Sequence, residues 1–226
     1  TRLQGDWSSD VCSSDLLEID PLAGDGHELF AAGVSITVSP KATNWRYGHM
    51  AICPYPLALE VGFTARSGVP CSMRPIRPED ATAFQRFVRG LSTQSRYSRF
   101  FGSVNELTQR QLATRTQIDY DRDMMLIAVV RNADGEDEIV AEADYSVLAD
   151  ELTGELGVAV ADAYVGQGIG SRLTRQLLEA ARRRGLQRIV GQVLSDNESM
   201  LGLLDALGFT VGMTDDLEVL DLSLRL

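Results

Sequence analysis

The sequence lacks any uninterrupted apolar run near the roughly 18 residues that a membrane helix requires. Its first residues also lack the basic, apolar, small-residue order of a secretory signal. A cytoplasmic protein with no membrane partner is therefore expected. Lysine is almost missing: of 21 basic residues 20 are Arg, with Lys41 the exception, a skew that a GC-rich genome produces. The basic residues face 32 acidic ones, for a formal charge of −11, and that balance opposes a phosphate backbone, so no nucleic-acid partner is expected. Cysteine is scarce as well. The three, Cys12, Cys53 and Cys71, fall in no metal-ligand spacing and form no disulfide framework, so reduced thiols and no metal are expected. What is present is an ordinary globular composition, 44% hydrophobic and 23% charged, which excludes collagen, coiled coil and wholesale disorder.

Residues 1–16 hold no apolar periodicity and are expected to be unstructured. Within them, residues 6–16 (Asp-Trp-Ser-Ser-Asp-Val-Cys-Ser-Ser-Asp-Leu) resemble the in-frame translation of a short-read sequencing adapter and are set aside from fold reasoning. Residues 17–22 and 33–38 form two β-like runs around a Gly-Asp-Gly turn, and the chain leaves through Pro54 and Pro56. A segment of about 40 residues cannot bury a core of its own. Its Glu18-Ile19-Asp20-Pro21-Leu22 run resembles the last strands of the ATP-grasp domain in nucleoside-diphosphate-forming acyl-CoA synthetases. That resemblance implies a truncated remnant over residues 17–56, without nucleotide chemistry.

A linker hairpin is expected over residues 57–72, turning at Arg66-Ser67-Gly68. Phe84, Phe87, Val88 and Leu91 then recur at helical spacing behind an acidic first turn. Ser92 and Thr108 each open a further short helix. Residues 124–130 and 139–147 are apolar β runs separated by a turn, and 156–160 is another strand. After it comes Val165-Gly166-Gln167-Gly168-Ile169-Gly170-Ser171, then Leu173, Leu177, Leu178 and Ala181 on one helical face. A Gly-rich loop entering a helix N-terminus presents free N–H groups and the positive dipole end to an anion, and such loops also serve close packing alone. The dinucleotide and P-loop patterns fit badly, because Ser171 stands in place of the third glycine and no Gly-Lys-Ser/Thr follows.

Val158 and Val160, the Gly-x-Gly-x-Gly loop, the strand at 188–194, Asn197 and Leu207-Gly208-Phe209 together resemble the GNAT superfamily of acyl-CoA-dependent N-acetyltransferases over residues 73–226. The segments 73–80, 95–101 and 116–121 are similar to bacterial protein lysine acetyltransferases fused behind an acyl-CoA synthetase. The resemblance implies an α+β fold, a mixed and mostly antiparallel sheet flanked by helices, behind a non-globular N-terminal extension. It implies acetyl-CoA as cosubstrate, held by Val158, Val160, Gln167, Gly168, Gly170, Ser171 and Asn197, with Glu155 as catalytic base and no metal. The acceptor it implies is a protein lysine, with an acyl-CoA synthetase a candidate partner. Two positions depart from the family pattern. Val165 replaces a Gln or Arg that contacts the pyrophosphate, and Leu204 replaces a Tyr that protonates the departing thiolate.

Each residue also has a plainer reading. Apart from the resemblance, Glu155 reads first as a solvated strand-end carboxylate, and Glu142 with Asp144 as solvent-facing charges or a second acidic wall. Asp119, Asp121 and Asp123 read as a wet loop or as steering for a cation. Asn197 reads as a helix N-cap, and Arg182-Arg183-Arg184 as a solvated helix C-terminus favoured by the dipole. At the level of the whole chain, an enzyme acetylating protein lysine competes with a small-amine acetyltransferase and with an acyl-CoA-sensing module that does not turn over.

Overall fold

The computed structural model describes residues 53–226 except 133 and 134. Before them it describes the backbone of β1 (Ser14–Ile19), β2 (Leu22–Gly24), β3 (Leu29–Ala31) and β4 (Val34–Val38). The chain divides into two compact units, Thr1–Pro54 and Tyr55–Leu226. In the first, β1 pairs antiparallel with β4 and β2 with β3. Strand β1 begins inside the segment expected to be unstructured, while Trp7, Cys12 and most of residues 6–16 lie outside the described residues.

The second unit is built on one eight-stranded sheet. Its strands are β5 (Val61–Thr64), β6 (Pro70–Pro75), β7 (Asp123–Arg131), β8 (Asp137–Val147), β9 (Thr153–Val160), β10 (Arg188–Leu194), β11 (Thr210–Met213) and β12 (Val219–Arg225), in the order β11-β12-β10-β9-β8-β7-β6-β5. All neighbours are antiparallel except β9 and β10. Helices α1 (Ala81–Gly90), α2 (Thr93–Phe100) and α3 (Gln109–Thr116) come between β6 and β7, α4 (Ile169–Arg184) between β9 and β10, and α5 (Glu198–Asp205) between β10 and β11. This is the α+β architecture expected from the sequence.

Both faces of the central strands are apolar because both are covered. Leu126, Ala128, Val140, Tyr145 and Val158 pack with Leu173 and Leu177 of α4, whereas Met125, Ile127, Val129 and Ile139 pack with Phe84, Phe87 and Val88 of α1. The local signals act as expected at the helix starts. Ser92, Thr108 and Asn197 each accept a backbone N–H from the first turn, and Thr108 with Gln111 completes a reciprocal capping box.

The boundary expected between residues 72 and 73 falls inside β6, so the hairpin belongs to the sheet. A clasp fixes its entry. The Tyr55 hydroxyl lies 2.8 Å from Glu60 Oε1 and 3.1 Å from the Pro75 carbonyl. Arg77 lies over the Tyr55 ring at 4.6 Å, and Tyr120 meets that ring edge-on at 5.5 Å. Burial, reinforced by Glu60, pushes the Tyr55 hydroxyl up to about 12, so it stays protonated across the physiological range. Tyr55→Ala is expected to lower the unfolding free energy by about 1–3 kcal/mol. Urea denaturation checks this; a loss below about 0.5 kcal/mol would show that the clasp does not hold the hairpin.

Candidate active site

The site begins where two strands part. Strand β9 pairs with β8 over seven residues, but its parallel register with β10 is only Arg188↔Thr153, Ile189↔Gly154 and Val190↔Glu155. The Ala161 N–H donates to the Val140 carbonyl and the Leu148 N–H to the Thr153 carbonyl, both at 2.8 Å. The odd-numbered residues of β9 thus turn their main-chain groups toward β8. Leu156, Val158 and Val160 turn theirs to the other edge, where the register with β10 has ended. A cleft of about 750 Å³ opens there, between β9, the Gly-rich loop and α5 on one side and α2 on the other.

The loop reaches this cleft in a conformation that only glycine adopts readily. Gly166 and Gly168 have φ of +77° and +81°, in the left-handed region. Gly168 is the N-cap of α4, so the first-turn N–H groups of that helix face the cleft. Gly170 also has a packing role. A Cβ there would lie 3.1 Å from Val160 Cγ2, so its lack of a side chain lets α4 close against β9.

Helix α2, the opposite wall, has no fully buried residue and is held by polar contacts. At its start, Asp162 Oδ2 accepts the Ser92 N–H, and Asp162 Oδ1 accepts the Ser92 and Ser95 hydroxyls, each at 2.8 Å. Burial alone would raise the Asp162 carboxyl, but these donors hold it below its ordinary value. At its end, Arg99 donates to Glu142 Oε1 at 2.5 Å and to Asp144, and Arg115 stands 3.7 Å from Asp144. The guanidinium fills the place of a side chain on Gly157, where a Cβ would lie 2.5 Å from it. Burial would raise Glu142, but Arg99 holds it low. Asp144 is pushed up to about 6 by burial, with Glu142 adding to the rise and Arg99 opposing it.

Val158, Val160, Gly168, Gly170, Ser171 and Asn197 all line the cleft. Gln167 does not line it. Its carboxamide accepts from the Ser67 hydroxyl at 2.5 Å and donates to the Ala163 carbonyl at 3.0 Å, tying the loop to the β5–β6 hairpin. Glu155 is exposed and is not among the residues that line the cleft. It sits opposite Val190 at the last pair before the strands part, on the sheet face of Glu142 and Asp144. Leu204 is fully buried, and Met200, Gly202 and Leu203 face the cleft in its stead.

The remaining charged groups have structural partners. Asp119 Oδ1 accepts the N–H groups of Asp121, Arg122 and Asp123, and Asp123 accepts the Ser146 hydroxyl. Arg184 is no solvated end but pairs with Asp121 at 2.5 Å. Sequence reasoning missed Arg66, Ser95, Arg99 and Asp162. Of these only Asp162, just past β9, carried a local signal, as an N-terminal carboxylate of a short turn. From Tyr55 onward the sequence has no His and no Lys. Among the described residues no cluster could hold a metal ion, and no helix is long and apolar enough to cross a membrane.

Parted strands beside a glycine-rich helix start form a cleft with main-chain donors on two sides, and comparison with known proteins gives the family. The acetyltransferase (GNAT) family profile matches residues 92–209. An acetyltransferase of Pseudomonas aeruginosa is 35% identical over 143 residues, 63% of this chain and 76% of that protein. Acetyltransferase Pat of Mycolicibacterium smegmatis is 32% identical over 158 residues, 68% of this chain, which spans 45% of that longer protein. The crystal structure of the GNAT domain of the S. lividans PAT superposes with a TM-score of 0.69 at 27% identity, covering 76% of this chain and all of that domain. The chain belongs to the GNAT acetyltransferase family, enzymes that use acetyl-CoA as cosubstrate.

Two outcomes are expected. Because folding raises Asp144, the native state holds its proton where the unfolded chain has lost it. The stability this gives is present below the ordinary carboxylate range and is lost as pH rises from about 4 to about 6. Urea titrations across that range should show wild type losing about 1–2 kcal/mol relative to Asp144→Asn; parallel profiles would remove Asp144 from the account. Gly170→Val should lower stability by about 1–3 kcal/mol as β9 and α4 are forced apart, and an unchanged denaturation midpoint would contradict the close-packing role.

Proposed function

We propose that this protein transfers the acetyl group of acetyl-CoA to a protein lysine ε-amine, with Glu155 as the general base. The observation that carries the assignment is the register of Glu155, a carboxylate at the last β9–β10 pair and so at the mouth of the opening between the strands. In this reading the pantetheine runs along the open edge of β9 at Val158 and Val160. The pyrophosphate lies over the loop and the first turn of α4, where free N–H groups and the helix dipole favour an anion.

A lysine ε-amine has an ordinary pKa near 10.4 and arrives protonated. Glu155 takes that proton, directly or through one water, and the freed nitrogen attacks the thioester carbonyl. A main-chain N–H on the open edge of β9 stabilises the oxyanion. The nitrogen sheds its second proton to solvent as the C–S bond breaks, and the CoA thiolate takes its proton from water, since Leu204 offers none. With no His or Lys from Tyr55 onward, a carboxylate is the natural base. The relatives that bear the name Pat, together with the sequence likeness to synthetase-fused lysine acetyltransferases, support a protein acceptor. An acyl-CoA synthetase is the first protein to try.

Glu155→Gln should retain acetyl-CoA affinity and slow turnover by roughly 10²–10⁴-fold, measured by mass spectrometry of acetyl transfer to a synthetase and to a panel of small amines. Near-normal turnover would move the role to Asp144. Transfer to small amines alone would replace the acceptor, and acetyl-CoA binding without transfer by wild type would replace the enzyme with a sensor.

A further inference from the structure

The loop over which a pyrophosphate would lie has no charged side chain. Val165, Gly166, Gln167 and Gly168 are all neutral, so main-chain donors alone would face about two negative charges. Among the arginines that line the cleft, Arg99 is committed to Glu142 and Asp144. Arg175 stands nearly two turns into α4. Arg66 comes from outside the span matched by the family, on the turn between β5 and β6, and lies directly against the loop. Its Nη1 is 3.4 Å from the Gly166 carbonyl, and its Nε is 3.4 Å from where a Cβ on Gly168 would stand.

The hairpin is joined to the loop at several points, so Arg66 is held at this position. The Arg66 N–H donates to the Gln167 carbonyl at 3.1 Å, and the Ser67 hydroxyl donates to the Gln167 side chain. Arg172 of α4 lies 5.1 Å over the Phe63 ring of β5. Among the described residues no carboxylate forms an ion pair with Arg66, although its side chain lines the cleft. The acids on the cleft are Asp162, already satisfied by Ser92 and Ser95, and Asp196 and Glu198 at the start of α5.

We propose that Arg66 is a phosphate-binding residue of this site, a guanidinium that the N-terminal hairpin holds over the loop to meet the pyrophosphate of the acyl-CoA. Guanidinium geometry suits bidentate phosphate contact, and the hairpin thereby becomes part of the cosubstrate site rather than a linker. This rests on the acetyl-CoA reading above.

Calorimetry on the full chain tests it with acetyl-CoA and its 3′-dephospho form, alongside turnover with acetyl-pantetheine. Arg66→Met should weaken both nucleotide-bearing donors by roughly tenfold and leave turnover with acetyl-pantetheine unchanged, with Arg66→Lys intermediate. A cation returned to the same loop, as Val165→Arg in the Arg66→Met background, should restore most of the lost affinity, which a packing role for Arg66 would not permit. Equal affinity of Arg66→Met and wild type overturns the proposal, as does a loss confined to the donor bearing the 3′-phosphate, or a double variant no better than the single one. Failure of the wild type to bind acetyl-CoA would instead overturn the cosubstrate reading itself.

Discussion

Helix α2 forms one wall of the cleft without one fully buried side chain, and only its half-buried Phe100 packs against the core, so apolar burial holds it less than it holds α1 and α4. Its position depends above all on the Arg99 ion pairs. Glu142 and Asp144, two apart on β8, share a sheet face, and Gly157 opposite Asp144 leaves the space that the guanidinium occupies. Taking these charges out of water is costly, and the geometry must repay it with close hydrogen bonds. What the cluster provides is position. An apolar side chain could slide over the sheet, whereas a guanidinium held by two carboxylates fixes the end of the helix relative to β9, while Asp162 fixes its start.

That fixed wall matters because β9 has an unfinished edge. A strand that loses its partner would ordinarily seek another, since buried main-chain donors and acceptors are costly to leave unpaired. Strand β10 does not close on it: the register with β9 ends at Val190, while β12 follows the other edge of β10 over all seven residues from Arg188 to Leu194. At Gly191 the two strands are still close, since a Cβ there would lie 3.2 Å from the Leu156 carbonyl, and the cleft opens beyond, at Val158 and Val160. Met200 and Leu203 of α5 line the space between the strands, while Leu204 anchors that helix in the core. The main-chain groups of Val158 and Val160 therefore face the cleft and not a neighbouring strand.

Much of this was legible in the sequence because it is local. A cap acts within one turn, so Ser92, Thr108 and Asn197 announced their helices, and the loop glycines announced a tight helix entry. The start of β9 was not legible. Gly154 and Glu155 are poor strand formers and are extended because β8 and β10 pair with them from either side. The Arg99 cluster joins residues more than 40 apart and Arg66 meets the loop 100 residues away. No period or spacing along the chain records such pairings. The aspartates at 119, 121 and 123 show the converse, since alternation that suggested a charged surface is a set of local turn and ion-pair contacts.

The near-absence of lysine has a chemical consequence whatever its origin in base composition. An enzyme that acetylates amines keeps its own nucleophiles at high effective concentration around the reactive thioester. From Tyr55 to Leu226 there is no lysine to be acetylated, and the guanidinium of arginine stays protonated and non-nucleophilic in proteins. Every cation that steadies this fold or faces the cleft, from Arg99 to Arg66, can therefore sit beside an acyl donor without competing for it. The same choice bears on stability, since Arg can hold the bidentate, desolvated pairs that α2 requires where a lysine would lose its proton more readily on burial.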